Sequence, residues 1–541
     1  MFNFSITPAL NPYSFLSVSA VAAVSAILLD WSYMLWRRRK LPPGPLPLPI
    51  VGNHFQTPSV KPWITWEKWA KKYNTPMLTL WIGRQPRIIL SDAWVASELL
   101  EKNAATFSSR PRLVAMGDAL NCTTTNQTTL EYGDRWRLHR KLMHAAVGSQ
   151  AVRNYRSFQA DEAKLLIRDL MEKPEEFEAS IERYTISVTS IIGWGRRIDR
   201  NSDYVAQQAL QMMEAVNLVV PGVFILETIP ALLKLPSWLY GFPRTLRMSA
   251  AVAGRYFYKL TEESLGNGRK AFNRFIMDSQ KKHQMTDLEV AGLMGNLIGG
   301  GVDTTSSTML SCILALAVFP DVQMKAQEEI DAMIGHERSP GWDDIDHGRL
   351  PYLAAFVKEV LRWRTVTVLC GIPHANTKDF VHEGYHFPAG TNFTSNMWAI
   401  HRNSKDFPDP DSVRPERFLN GSENPYPNAR GSNPFGWGRR QCSGQPLAEQ
   451  GLLYSVGRMI WAFNIRPGLE EEGKEMMLDI FAYTESENTR PRPFKAQFLP
   501  RSPEIRKLID GEAVAAREAL RIYDGETSLT MEDAVTNPAL H

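Results

Sequence analysis

Cysteine is scarce in this chain. The 541 residues hold four, Cys122, Cys312, Cys370 and Cys442. They are too scattered for a disulfide framework and lack the CxxC spacing of a zinc site, so they suit a reducing compartment. Net charge is equally sparse: 61 basic against 58 acidic residues leave a formal +3. That balance gives no basic excess to neutralise phosphates and argues against a nucleic-acid partner. Also missing are a Gly-Lys-Ser/Thr phosphate loop and a G-x-G-x-x-G segment after a strand. The chain therefore encodes neither a nucleoside triphosphate site nor a flavin or nicotinamide domain. Beyond residue 53 there is no second linker, internal repeat or low-complexity tract.

What is present begins with a long apolar run. Phe15–Trp36 reads FLSVSAVAAVSAILLDWSYMLW, about 33 Å as a helix, close to the thickness of a bilayer's hydrocarbon core. Arg37, Arg38, Arg39 and Lys40 follow at once and favour the cytoplasmic side. Asp30 falls inside the span, near its cytosolic end and within reach of the headgroups. A cleaved signal peptide is the competing reading, but here the charges follow the apolar run and no cleavage site is clear. The division predicted is a short lumenal segment (1–14), a transmembrane anchor (15–36), a basic and proline-rich hinge (37–53), one catalytic domain (54–510) and an exposed polar tail (511–541). Prolines at 42, 43, 45, 47 and 49 stiffen the hinge. Helical patterns dominate the large domain, with short strand signals near Met77–Leu90 and Phe380–Thr391. The fold class is thus mainly α with small β-sheets. A second apolar stretch, Leu218–Trp238, suits either lipid contact or core packing.

The cysteine that demands explanation is Cys442. It sits in FGWGRRQCSG, residues 435–444, where Phe435, Gly438, Arg440, Cys442 and Gly444 form F-x-x-G-x-R-x-C-x-G. A helical stretch with Pro446 in its first turn follows. Cys442 therefore stands at a helix N-terminus, where free N–H groups and the dipole favour thiolate. Gly438 would let the backbone press on a flat ligand, and Arg440 suits a carboxylate.

This loop resembles the haem-binding segment of the cytochrome P450 family, and the family's other signatures follow in order from the anchor to about residue 500. The resemblance implies haem b (iron protoporphyrin IX) between a long central helix and the Cys442 loop, with Cys442 as axial thiolate and metal ligand. A thiolate pushes electron density onto the iron and favours O–O cleavage. It also implies that Trp136 and Arg140 (one helical turn apart), His374 and Arg440 serve the haem propionates.

The second signature is GGGVDTTSS, residues 299–307, in a helix opened by a Thr286…Glu289 capping box and closed at Phe319-Pro320. Three glycines in a helix cost about 1 kcal/mol each, so they need a reason. The resemblance implies that Gly300 and Gly301 make room for O2 and that Asp303 and Thr304 are the catalytic residues delivering protons. Close helix packing is the alternative for the glycines. The third signature pairs Glu359-x-x-Arg362 with Arg417 in a buried structural cluster. The substrate walls implied are the Phe107–Thr129 loop, Leu297–Thr305, Thr367–Ile372 and Ala482–Thr484, with Val368, Leu369 and Ile372 as an apolar face.

The implied activity is a membrane-anchored monooxygenase in the endoplasmic reticulum, its catalytic domain cytosolic. It would oxidise a small apolar organic substrate with O2 and electrons from an NADPH-cytochrome P450 reductase docking near Arg439. The overall pattern resembles fungal secondary-metabolite members, which suggests a polyketide, terpenoid or peptide-hybrid scaffold. Two alternatives stay open: a haem-thiolate isomerase or dehydratase that does not use O2, and a non-enzymatic haem sensor.

Overall fold

The computed structural model describes residues 12–218, 224–236, 238–241, 244–421 and 423–530. Most of the expected lumenal segment, the last eleven residues of the expected tail and part of the Leu218–Trp238 stretch lie outside them.

A long apolar helix, compatible with a membrane anchor, runs over Pro12–Arg38. Its N-terminal turns expose apolar side chains such as Leu16, Val21 and Leu29, as a lipid-facing helix would. Its last turns do not. Met34 is 1% exposed, Trp31 Nε1 donates to the Pro47 carbonyl at 2.9 Å, and Arg38 donates to the Gly44 carbonyl at 2.7 Å. Asp30 pairs with Arg84, in the turn between the first two strands. That pair ties the last turns of the helix to the folded domain and gives the one carboxylate of the apolar run a cationic partner.

The strands form three small sheets. β1 (Met77–Ile82), β2 (Gln85–Leu90), β3 (His374–Ala375) and β6 (Asn392–Ser395) make a four-stranded sheet ordered β1-β2-β6-β3. β1 and β2 are an antiparallel hairpin pairing Met77 with Leu90, while β2 and β6 run parallel. β4 (Phe380–His382) pairs with β5 (Tyr385–Phe387), and β7 (Phe463–Pro467) with β8 (Ala496–Pro500). The strand signals near 77–90 and 380–391 correspond to β1–β2 and β4–β5. β7 and β8 went unread because each partner lies about thirty residues away and only tertiary pairing satisfies its backbone.

Helices make the rest. The central helix, Asp287–Val318, carries the capping box expected of it: Thr286 and Glu289 each bond the other's backbone. Its apolar face is so broad that most of its residues are buried, as expected of a helix surrounded by protein. Against it pack Phe177–Trp194, Tyr204–Leu218 and Arg244–Glu263; the last two form the roof over the cavity described below. The Asp134–Val147 helix carries Trp136 and Arg140. The Gln445–Ala462 helix follows Cys442.

The expected boundary at residue 510 falls inside a helix. Pro503–Leu520, N-capped by Ser502, buries Ile505, Ile509, Ala513, Ala516 and Leu520 against the Arg156–Glu172 helix. Arg458 of the Gln445–Ala462 helix pairs with Glu512. An exposed tail from 511 is therefore corrected. The apolar residues recur at helical spacing within a polar sequence, and that stripe needs a partner.

Candidate active site

A cavity of about 1770 Å³ runs from the Cys442 loop across the central helix to the roof. Typical small-ligand pockets hold roughly 300–1,000 Å³, so this one has room for more than one small molecule. Cys442, Phe435, Arg440, Trp136, Arg140 and His374 all line it.

Cys442 is held by its loop. Its N–H donates to the Phe435 carbonyl at 2.9 Å, so Phe435 and Cys442 close the turn together. Burial pushes the Cys442 thiol up; hydrogen bonds from the Gly444 and Gln445 backbone and the Arg140 charge pull the other way and do not win. The N–H groups at the helix start thus favour the thiolate, as expected, and enclosure opposes them; a bound cation would act in the same direction as the N–H groups.

Gly438 is also corrected. It does not line the cavity; a Cβ there would stand 2.2 Å from the Leu100 carbonyl oxygen, and its φ is +52°. Backbone of the Glu98–Lys102 segment, not a ligand, requires that glycine. Gly436 (φ +83°) and Gly444 are the loop glycines that do line the cavity.

Three arginines converge at the rim. Arg440 donates to the carbonyls of Ser108 (2.7 Å), Leu130 (2.6 Å) and Gln127 (3.3 Å), and its guanidinium lies 4.5 Å from the centre of the Trp136 ring. Arg140 donates to Ser443 Oγ at 2.7 Å. Arg110, missed by sequence reasoning, donates to the carbonyls of Thr128 (3.1 Å) and Pro373 (3.0 Å). Among the described residues none of the three has a carboxylate partner. Burial and the neighbouring Arg110 and Arg140 pull Arg440 down to about 8, and burial pulls Arg110 down to about 10. Enclosed cations without counter-charge are costly, so the rim fits an anionic group. Nothing in Ser109-Arg110-Pro111-Arg112 distinguishes Arg110 from Arg112, which pairs with Asp118 at the surface.

His374 Nδ1 donates to the Phe107 carbonyl at 2.8 Å. Burial and the nearby Arg110 and Arg440 hold its pKa well below the ordinary range. Nδ1 is thus engaged, and Nε2 is the ring nitrogen that remains to face another group on the cavity side.

On the opposite wall Thr304 lines the cavity, and its hydroxyl donates to the Gly300 carbonyl at 2.6 Å. A Cβ on Gly300 would meet nothing within 4 Å, whereas one on Gly301 would come 2.3 Å from Thr189 Cγ2 and one on Gly299 would hit Met212 and Met213. Gly300 thus leaves open space, while Gly299 and Gly301 are packing glycines. Asp303 does not line the cavity; it lies behind the wall.

The expected substrate walls are partly displaced. The Phe107–Thr129 loop and Leu297–Thr305 contribute as expected. Of Thr367–Ile372, only Thr367 and Cys370 do. Val368 and Leu369 pack instead on Trp63, Trp66 and Leu78 under the four-stranded sheet, and Ile372 packs beside Leu113 and Leu226. Ala482–Thr484 does not line it; Tyr483 is buried with its hydroxyl on Ser311. The turns of this segment send neighbouring side chains to different surroundings, which spacing alone cannot foretell. Glu359, Arg362 and Arg417 do come together: Arg362 donates twice to Glu359 at 2.8 Å and Arg417 once at 3.2 Å, all fully buried.

A family model for cytochrome P450 matches residues 42–488. The chain belongs to the cytochrome P450 family. It is 33% identical over 508 residues to cytochrome P450 monooxygenase 105 of Postia placenta, covering 91% of this chain and 95% of the relative. It is 31% identical over 534 residues to cytochrome P450 monooxygenase criE of Aspergillus cristatus, covering 95% and 97%. It is 32% identical over 492 residues to tryptamine 4-monooxygenase of Psilocybe cyanescens, covering 88% and 96%. The protein is thus a P450 monooxygenase, an oxidoreductase that uses haem b bound through a cysteine thiolate. The donor set fits that group: of the thiols that line the cavity, Cys442 stands on the loop that also carries Arg440, beside three enclosed cations suited to two propionates.

Proposed function

We propose that Cys442 is the axial ligand of this P450, that Arg110, Arg140 and Arg440 hold the haem propionates, and that Thr304 and Asp303 deliver protons. The observation that carries the reading is the rim of three enclosed, carboxylate-free arginines on the cavity that also holds Cys442. When bound, the haem supplies activation of O2. Trp136 stacks under Arg440 and fixes its plane. Phe435 and the Gly436 turn close the wall behind Cys442. Thr304 keeps a hydroxyl at the cavity surface, where it can hold a water, and Gly300 leaves the space beside it. His374 steadies Phe107 through Nδ1 and keeps Nε2 for a propionate.

The overall change proposed is insertion of one oxygen atom of O2 into a C–H bond while the other becomes water. Two electrons come from NADPH through a reductase. Arg439, over the Tyr132 ring together with Arg137, gives such a partner a basic patch close to Cys442 in sequence. The substrate is an apolar natural-product intermediate. Met116, Met212, Met213, Leu120, Leu297 and Phe257 supply an apolar and, through methionine, adaptable wall. The relative named for tryptamine 4-hydroxylation makes aromatic, ring-oxidised substrates a reasonable first screen. The anchor helix would hold the enzyme to the endoplasmic reticulum, with residues 37–53 as hinge and the cytosolic domain extending through the C-terminal helix.

Replacing Cys442→Ser tests the axial assignment. The reduced carbon monoxide complex should lose its thiolate-type spectrum, because a hydroxyl is a poor donor to iron. A variant that keeps that spectrum overturns the reading. Product formation that needs neither O2 nor reductase would favour the isomerase alternative instead.

A further inference from the structure

Asp303 has surroundings that its place in the sequence does not disclose. One of its carboxylate oxygens, Oδ2, accepts two carboxamide N–H groups: Asn488 Nδ2 at 3.0 Å and Asn217 Nδ2 at 3.3 Å. Asn217 lies in the last turn of the roof helix Tyr204–Leu218. Asn488 lies in the return loop before β8, where it forms a backbone bridge with Thr367. The Asn488 side chain is used at both ends, because its Oδ1 accepts from Thr367 Oγ1 at 3.0 Å. Its carbonyl accepts from Ser486 Oγ at 2.7 Å, which ties it to its own loop. Thr367 lines the cavity. A continuous hydrogen-bonded path thus runs from the cavity wall through Asn488 to Asp303, and a second contact reaches the roof.

The donors are neutral. Arg490, two residues beyond Asn488, is committed to Glu182 at 2.7 Å and Glu178 at 3.8 Å, and Asp303 has no ion pair among the described residues. A hydrogen bond to a carboxylate is charge-assisted even from a neutral donor, but a carboxamide brings no counter-charge. The carboxylate is therefore oriented without being ion-paired, and Oδ1 takes no protein donor among the described residues. An acid that must exchange protons with water while keeping its place is served by this arrangement better than by an arginine clamp.

We propose that Asn488, itself held by Thr367 and its own loop, is the positioning residue for Asp303. The proposal rests on the reading of Asp303 as the proton-supplying acid. Its consequence is a choice between two balanced outcomes. O2 with two electrons and two protons leaves as hydrogen peroxide; with four electrons and four protons it becomes two waters. NADPH, through a flavoprotein reductase, supplies the electrons in both. A well-placed Asp303 favours the second outcome, and a misplaced one the first.

The test uses the full-length haem-loaded enzyme with reductase, NADPH and O2 and no organic substrate, and measures peroxide released per NADPH consumed. Asn488→Leu removes both hydrogen bonds at similar volume and should raise that ratio several-fold. Asp303→Asn should raise it comparably, and adding Asn488→Leu to Asp303→Asn should change nothing more, because the two act as one unit. Asn488→Asp keeps the acceptor for Thr367 but sets a second carboxylate beside Asp303. That raises the pKa of the pair, so the pH at which the peroxide ratio changes should move upward, a readout that a packing defect would not mimic. The reduced carbon monoxide spectrum and the affinity for 1-phenylimidazole should stay unchanged in all variants. If Asp303→Asn leaves the ratio unaltered, the reading of Asp303 fails. If Asp303→Asn raises it while Asn488→Leu does not, or if the two effects add, the positioning role of Asn488 fails. Should Asn488→Leu not load haem, the direction of the Asn488→Asp pH shift decides the matter.

Discussion

Replacing Arg140→Met separates an anion-binding arginine from a structural one, because the two roles change stability with opposite signs. In the structure Arg140 makes a single hydrogen bond, to Ser443 Oγ at 2.7 Å, and Ser443 keeps Gln127 as a second donor at 3.2 Å. Removing the guanidinium orphans no carbonyl. It also removes one of the positive charges that depress Arg440. The haem-free protein should therefore be as stable as wild type or slightly more so. The loaded protein should lose a charge-assisted hydrogen bond to a propionate, about 1.5–3 kcal/mol. At 1.4 kcal/mol per decade, that is roughly 10- to 150-fold faster loss of haem. Arg140→Lys keeps the charge but not the planar fork and should fall between. Haem transfer to excess apomyoglobin, followed by absorbance, gives the rate; thermal unfolding of the haem-free forms gives the other arm. Equal haem loss from variant and wild type would show that Arg140 faces no anion. Parallel destabilisation of both forms would make it a packing residue.

Three further outcomes follow from the same geometry. Gly300→Ala should raise stability by about 1 kcal/mol through helix propensity, since its Cβ meets open space, while Gly301→Ala should cost about 1–3 kcal/mol by overpacking against Thr189; chemical denaturation of the pair checks the contrast. Glu289 accepts from Arg135 at 2.5 and 2.6 Å and contacts His139 at 3.1 Å. Despite burial, Arg135, the Thr286 backbone and His139 bring its pKa down to about 2. A depressed carboxylate stabilises the fold fully above its unfolded value, near 4.5, and loses that contribution as pH falls toward 2, about 3 kcal/mol in all. Glu289→Gln should be less stable at neutral pH and flat across that window, which denaturation at stepped pH will show. Truncation after residue 510 should collapse the yield of soluble haem-loaded protein, because it cuts the C-terminal helix and strips the cover from Ile505 and Ile509; a fully active truncate would mean that the helix is dispensable.

How much of this was legible beforehand depended on the range of the forces involved. The Thr286…Glu289 capping box, the helix stop at Phe319-Pro320 and the β1–β2 hairpin are local, each settled within a few residues by hydrogen bonding, proline geometry or turn closure. The long apolar N-terminal helix could be read from length and apolarity alone. The C-terminal helix was equally local, with Ile505, Ile509, Ala513, Ala516 and Leu520 on one stripe, and was passed over because a polar average hid it.

The tertiary structure alone decided which residues share the cavity and what their neighbours make of them. Gly438 and Gly301 looked like glycines cleared for a ligand and serve Leu100 and Thr189 instead, since a missing Cβ shows that something approaches but not what. His374 has its Nδ1 taken by the Phe107 carbonyl, a partner no local pattern names. Arg110 and Arg112 are indistinguishable in sequence, yet one is enclosed with two other cations and the other is paired at the surface. Asn488 carries no signal at all until the chain folds back to set it between Thr367 and Asp303. The sequence by itself determined the residue types and the local elements that present them. Which charge goes unpaired, which thiol is desolvated and which amide meets which carboxylate were decided by contacts between segments up to hundreds of residues apart, because electrostatics and packing act through space and not along the chain.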